Sequence, residues 1–216
     1  MGVRKIPIGT RSLTAHFYSF KNKRLIDCES LVERDVYLSF EFDDEIASYE
    51  AQPVKVPRAD NKKTGYYYPD CLITYTVSSG KRPLLSEVKP TKDMNDPKKA
   101  EDIALKLAAI EKYAKDKGWD FRLYLETDVR GPRLDNFKLL YQYTEPPAVF
   151  LKYGKAIVDE IKLAGPLSVT ELLGRITHNR KEYITALPCV WHLIRNSRIK
   201  TDLSIPLTNS AILEAS

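Results

Sequence analysis

The chain has 216 residues, 43% of them hydrophobic and 29% charged, with a formal net charge of +5 and a pI near 8.9. This composition suits one ordinary domain, or one with a small appendage, around a real core, and it excludes a disordered chain. No apolar run approaches the ~20 residues needed to span a bilayer, and the opening MGVRKIPIGTRSL lacks the apolar region of a signal peptide.

Met1-Gly2 alone is a weak myristoylation signal. After this polar, basic opening, SLVERDVYLSFEF predicts a helix over Ser30–Phe42, because Val32, Val36 and Phe40 recur at helical spacing. IASYEAQPVKV reads as extended and PRADNKKTG as a polar loop. A hairpin comes next: Cys71–Val77 as one strand, SSGKRP as the turn, Leu84–Lys89 as the other. In DPKKAEDIALKLAAIEKYAKDKG, Asp96 is an N-cap, Pro97 opens the helix and Gly118 stops it, with Ile103, Leu107 and Ile110 on the buried face. WDFRLYLET predicts a strand and RLDNFKLLYQY another helix. The order predicts a mixed α/β domain over 1–147, ending near Tyr143, with TEPPAVF as the linker.

Over 148–216, KAIVDEIKLAG and PLSVTELLGR predict two helices, the second opened by Ser168 and Glu171 at capping-box spacing. KEYITALPCVWHLIRNSRI is helical in pattern, with Pro188 expected to kink it or mark a new start. IKTDLSIPLTNSAIL reads as two short strands around a loop. Three helices and a small hairpin are the order of a winged helix.

Cys28, Cys71 and Cys189 are scattered and form no CxxC pair, which argues for reduced thiols and against a zinc site or disulfide framework. His16, His178 and His192 have no ligand spacing and read as structural. From Leu151 onward nine basic and six acidic residues leave an excess of +3, compatible with nucleic acid but far from a polybasic tract.

The hairpin YYYPDCLITYTVSSGKRPLLSEVKP carries the chemistry. Strand alternation puts Glu87 and Lys89 on one face, and a turn at SSGK brings Asp70 to the same open end. Two close carboxylates repel, and a divalent cation removes the conflict; hard oxygen ligands suit Mg²⁺. An adjacent lysine can orient or deprotonate a water, or stabilise negative charge on a transition state. The bland alternative is acids and a lysine at solvated strand ends. Glu33 likewise has two readings: a cap reaching back to the Ser30 amide, or an acid pointing into the cleft.

SFKNKRLIDCESLVERDVYLSFEFDDEIASYEAQP, YYYPD, LLSEVKP and LETDVRGPRLDNFKLL, in that order from about Ser19 to Tyr143, resemble the TnsA-type transposon endonucleases. The resemblance implies a restriction-endonuclease-like PD-(D/E)xK fold, a mixed sheet flanked by helices, with a winged-helix domain after it. It makes Glu33 the helical acid of the active site, Asp70 and Glu87 metal ligands with Glu33 beside them, and Lys89 the catalytic lysine. Gln52 would take a supporting role. Glu87 departs from the best-known member, which has glutamine there, and agrees with the wider nuclease superfamily.

The activity so implied is hydrolysis of the 5′ strand at each transposon end with Mg²⁺, Mn²⁺ substituting, while a TnsB-type DDE transposase cuts the 3′ strand. The implied partners are double-stranded transposon-end DNA, that transposase and a TnsC-type AAA+ regulator, in a bacterial cytoplasm and without a membrane. Some such systems are guided by CRISPR effector complexes, but targeting would reside in other subunits. Arg175, Arg180, Lys181, Arg195, Arg198 and Lys200 are candidates for phosphate contacts, against the alternative of scattered surface charge. A winged helix also docks proteins. A stand-alone restriction or repair nuclease, and a non-catalytic factor linking transposase to regulator, are the competing functions.

Overall fold

The computed structural model describes residues 15–58 and 65–216; the N-terminal MGVRKIPIGTRSL stretch and most of the PRADNKKTG loop lie outside the described residues. Two compact units divide the chain, Met1–Val129 and Arg130–Ser216.

The first unit opens with an antiparallel hairpin, β1 (Ala15–Ser19) and β2 (Arg24–Cys28), where the sequence pattern suggests only a polar opening. Helix α1 (Leu31–Glu41) is capped by Ser30, whose hydroxyl accepts from the Glu33 amide. β3 (Ile46–Ala51) is next, then the short pair β4 (Val56–Pro57) and β5 (Tyr66–Tyr67). β6 (Cys71–Tyr75) and β7 (Leu84–Lys89) form the expected hairpin; its connection holds a 3₁₀ turn at Val77–Ser79 and ends on Gly80 at φ 64°. That left-handed value favours glycine.

α2 (Thr91–Met94) and α3 (Pro97–Asp116) lead to β8 (Asp120–Leu125) and α4 (Glu126–Val129). Asp96 caps α3 through the Lys98 amide, as its position before Pro97 predicts. The sheet order is β3-β6-β7-β8; β8 runs parallel to β7 and the other neighbours antiparallel. A parallel neighbour needs a crossover, and α3 supplies it. Ile110 and Ala114 of α3 pack with Leu85, Val56 and Tyr67 on one face of the sheet. On α1, Tyr37 and Phe40 meet Tyr49, and Phe40 meets Tyr124 edge-on with ring centroids 5.6 Å apart. Such aromatic pairs contribute about 0.5–1.5 kcal/mol each beyond burial. Glu41, also buried, accepts from Ser19 Oγ and Tyr49 OH, both at 2.6 Å, and so ties the first hairpin to α1.

The second unit begins with α5 (Pro132–Tyr141), which the sequence pattern assigns to the first domain. Its Asn136 shows why it groups with the C-terminal elements: the side-chain amide donates to the Leu203 and Ile205 carbonyls and accepts from the Leu207 amide. α6 (Phe150–Ala164), β9 (Leu167–Ser168), α7 (Val169–Ile176), α8 (Arg180–Arg195), β10 (Ile199–Lys200) and β11 (Ile212–Ala215) complete it. The strands join in the order β10-β11-β9, all antiparallel. Ser168 and Glu171 make the expected reciprocal cap of α7. α8 continues through Pro188 without a new start. Proline removes one bond, to the carbonyl of Ile184 four residues back, and the helix absorbs that loss at a residue that is 59% exposed. Among the described residues no helix is long and apolar enough to cross a membrane.

Candidate active site

Strand register assembles the site. Cys71 of β6 pairs with Ser86 of β7, so the next residue outward on each strand, Asp70 and Glu87, come opposite one another. Leu85, Glu87 and Lys89 share the α3 face of β7, with Leu85 sealing the inner end against Ile110. Glu87 is fully buried and Asp70 nearly so. Lys89 Nζ bonds Glu87 Oε1, donates to the Val88 carbonyl at 3.0 Å and lies 4.0 Å from Asp70 Oδ2.

Asp70 is fixed from three sides. Its Oδ2 accepts from the Val88 amide at 2.7 Å, extending the ladder by a side chain. Its carbonyl accepts from Tyr37 OH at 2.7 Å and from the Gln52 amide at 3.0 Å. Burial, and then the Glu87 charge, push the Asp70 carboxyl well above the usual range, with Lys89 opposing. Burial acts to lower Lys89, but Asp70 and Glu87 outweigh it and hold the ammonium above its ordinary value.

Glu33 lines the same cleft, of about 490 Å³, together with Glu29, Gln52, Asp70, Lys89 and Lys106. Its carboxylate serves the start of α1: Oε2 accepts from the Glu29 amide at 2.9 Å and Oε1 from Ser30 Oγ at 3.2 Å. The cap therefore reaches one residue farther back than the Ser30 amide. Burial pushes Glu33 up to about 7, against the Glu29 amide, which pulls it down.

Gln52 stands at φ 47°, left-handed for a residue with a Cβ, and precedes Pro53. That conformation costs about 1–2 kcal/mol, and it turns the Gln52 amide onto Asp70 and its Nε2 onto Glu29 Oε1 at 2.8 Å.

Two residues of this cluster escape the sequence pattern. Lys106 Nζ bonds the same Glu87 Oε1 as Lys89. It lies three residues after Ile103 and four before Ile110, so a lysine in the apolar stripe of α3 is the available signal. Glu29, held by Gln52, carries no local signal. The histidines stay out of the cleft: His16 Nδ1 faces Asp27 Oδ1, and His192 Nδ1 bonds the Tyr143 carbonyl with its ring edge-on to Phe150. Cys28, Cys71 and Cys189 are buried free thiols, and burial raises all three, Cys189 to about 11.

Fitness for a cation rests on the oxygens. Glu87 Oε2 and Gln52 Oε1 are buried with no hydrogen-bond partner among the described residues, and both are hard donors. Among the described residues no three His, Cys, Asp or Glu side chains group closely enough to hold a metal by themselves. The carboxylates that could hold one are then the pair Asp70 and Glu87. This fits an ion such as Mg²⁺, which takes one or two carboxylates and completes its shell with water and phosphate.

The six basic candidates of the second unit do not form one cluster. Arg180 and Lys181 sit exposed in the first turn of α8. Arg195 is at its other end, about 22 Å away at 1.5 Å per residue, and donates to Thr144 Oγ1 at 3.2 Å. Exposed Arg198 and Lys200 come after it. Arg175 pairs with Glu160 at 3.0 Å.

A mixed sheet flanked by helices, with two acids and a lysine at the ends of neighbouring strands, has the plan of a restriction-endonuclease-like nuclease. Residues 43–126 match the family described as TnsA-like endonuclease, N-terminal, so this part of the chain is similar to a TnsA-like endonuclease domain. The matched span contains Gln52, Asp70, Glu87, Lys89 and Lys106 and stops short of Glu33. No curated protein matches the chain.

Proposed function

We propose that this chain is the DNA endonuclease subunit of a cut-and-paste transposase, hydrolysing the 5′ strand at each transposon end. One observation carries the reading: Asp70 and Lys89 line a cleft, with Glu87 buried against Lys89 at its wall, in the part of the chain that matches a TnsA-like endonuclease domain. Asp70 and Glu87 would hold Mg²⁺, with Mn²⁺ substituting, and Glu33 would join them by releasing its cap. The chemistry such an ion supplies is Lewis acidity toward a phosphodiester oxygen.

The chain's own groups do the rest. Tyr37, Gln52 and the Val88 amide keep Asp70 oriented before substrate arrives, so little reorganisation is needed during reaction. Lys89 is held as an ammonium by Asp70 and Glu87. It therefore serves as a donor to the negative charge that develops on the phosphoryl oxygens, rather than as the base. Water attacks phosphorus and the P–O bond to the leaving strand breaks; one water proton passes to solvent, and the leaving oxygen takes up a proton from solvent to become a hydroxyl.

The second unit has the element order of a winged helix, α6-β9-α7-α8-β10-β11, and Arg180 and Lys181 at the start of α8 would contact phosphates. A TnsB-type transposase would cut the other strand, and a TnsC-type regulator would license both cuts, in the bacterial cytoplasm. Choice of target, by a CRISPR effector complex or a DNA-binding protein, would belong to other subunits.

The test is strand-specific cleavage of labelled transposon-end DNA in Mg²⁺, with and without the transposase and regulator, for wild type and Asp70→Ala. The 5′-strand cut alone is expected to disappear in the variant. Retention of that cut would remove the chemistry from this cleft, and full activity without partners would favour a stand-alone nuclease.

A further inference from the structure

Helix α3 packs on the sheet through Ile110 and Ala114, and one turn earlier it places Lys106 over Glu87. The Lys106 side chain is 21% exposed and that of Glu87 0%. One oxygen of a buried carboxylate thus carries two ammonium groups, while the other has no partner among the described residues. Lys89 alone would pair the charge. The second lysine needs its own account.

The two lysines differ in how they are held. Lys89 lies two residues along the same strand, also donates to the Val88 carbonyl and stands beside Asp70. Lys106 comes from a helix at the wall of the cleft, and among the described residues its one hydrogen bond is to Glu87. A divalent cation between Asp70 and Glu87 would face both ammonium groups at close range, where like charges repel strongly in a partly dry site. The repulsion falls when one of them leaves. Lys106 has a flexible stem, an open side and a single bond to break.

We propose that Lys106 is a placeholder cation: a positioning residue that neutralises Glu87 in the resting protein and is displaced when a divalent cation enters. Metal on the open oxygen and Lys106 on the other then compete for the charge of one carboxylate, and the free protein binds metal more weakly than its carboxylates alone would allow. The released ammonium is left at the cleft wall, where an incoming phosphate can take it. This rests on the metal-site reading above.

Calorimetric titration of the full chain with Mn²⁺, without DNA, separates the two ideas. Lys106→Met is expected to tighten Mn²⁺ binding about tenfold, the equivalent of one charge-assisted hydrogen bond, and Lys106→Arg to leave it near wild type. Asp70→Ala is expected to abolish it. Equal or weaker binding by a folded Lys106→Met would overturn the placeholder and leave the metal site standing. Undiminished binding by Asp70→Ala, or no binding by any variant, would overturn both. Should Lys106→Met fail to give a native melting curve, Lys106→Gln keeps a neutral donor to Glu87. It is expected to tighten binding by a smaller factor, and no tightening there would equally sink the proposal.

Discussion

The two units treat charge in opposite ways. In the first, Asp70 and Glu87 are buried, their partners come from three elements, α1, β7 and α3, and Glu87 Oε2 has no partner among the described residues. In the second, the six basic candidates are mostly exposed and spread over α7, the two ends of α8 and the residues after it. Burying a carboxylate beside another is expensive, so a fold that does it needs a compensating use. An exposed arginine is nearly free of such cost, so its presence says little by itself. The strength of a site inference therefore scales with what the arrangement costs in stability.

The most damaging change should fall where charge is buried. Lys89→Met removes the ammonium that touches Glu87 and stands beside Asp70. Loss of a donor to the developing charge is expected to lower the cleavage rate on the order of 10³-fold. The two carboxylates then share only Lys106, at a cost of roughly 2 kcal/mol in stability. Arg175→Ala, which breaks the exposed pair with Glu160, should cost less than about 1 kcal/mol. Gel assays for cleavage and urea melts for stability check both. A Lys89→Met protein as stable and as active as wild type would erase the contrast between the units.

A subtler test uses pH. The Glu33 carboxyl is raised to about 7 in the folded chain by burial. Between its ordinary value near 4.5 and about 7 the folded state holds a proton that the unfolded state has lost, so stability falls as pH rises through that window. Glu33→Gln keeps an oxygen for the Glu29 amide and removes the charge. It is expected to match wild type below about pH 4.5 and to exceed it by roughly 1–3 kcal/mol at pH 8 in the absence of metal. Thermal melts across pH 4–8 measure this. Parallel curves for the two proteins would mean that the cap fully compensates the buried charge.

Much of the cluster is legible in the sequence because strand geometry is rigid. Alternation along Leu84–Lys89 and the Gly80 turn fix which residues share a face, and so Asp70, Glu87 and Lys89 come together as expected. The caps at Asp96 and Ser168 are local chemistry and read equally well, whereas the sequence leaves Glu33 open between a cap at Ser30 and an acid of the cleft. The features that escape depend on distant partners. The β1–β2 hairpin buries Phe17 and Ile26 but also Ser19 and Cys28, a weak alternation, and Ser19 is held by Glu41 far along the chain. Lys106 matters only because of how the crossover helix lies on β7. Helix α5 joins the second unit because Asn136 meets residues 203–207, which no local pattern announces.

The smallest expected effect lies in the second unit, and it decides whether exposed charge there has a use. Arg180 and Lys181 project from the first turn of α8, and neither is needed to close a buried pair. If both contact phosphates, each substitution to alanine should weaken transposon-end DNA binding a few-fold, uniformly across sequences. Each should also reduce the slope of log affinity against log salt by about 1. Arg195, held by Thr144 Oγ1, should change the slope less, because part of its donor capacity is already committed. Anisotropy titrations at several salt concentrations read these slopes. Identical slopes for wild type and the Arg180→Ala, Lys181→Ala pair would remove α8 from the DNA interface and turn the second unit toward a protein partner. The buried cluster of the first unit would be unaffected by that result, because its geometry rests on strand register and does not depend on surface charge elsewhere.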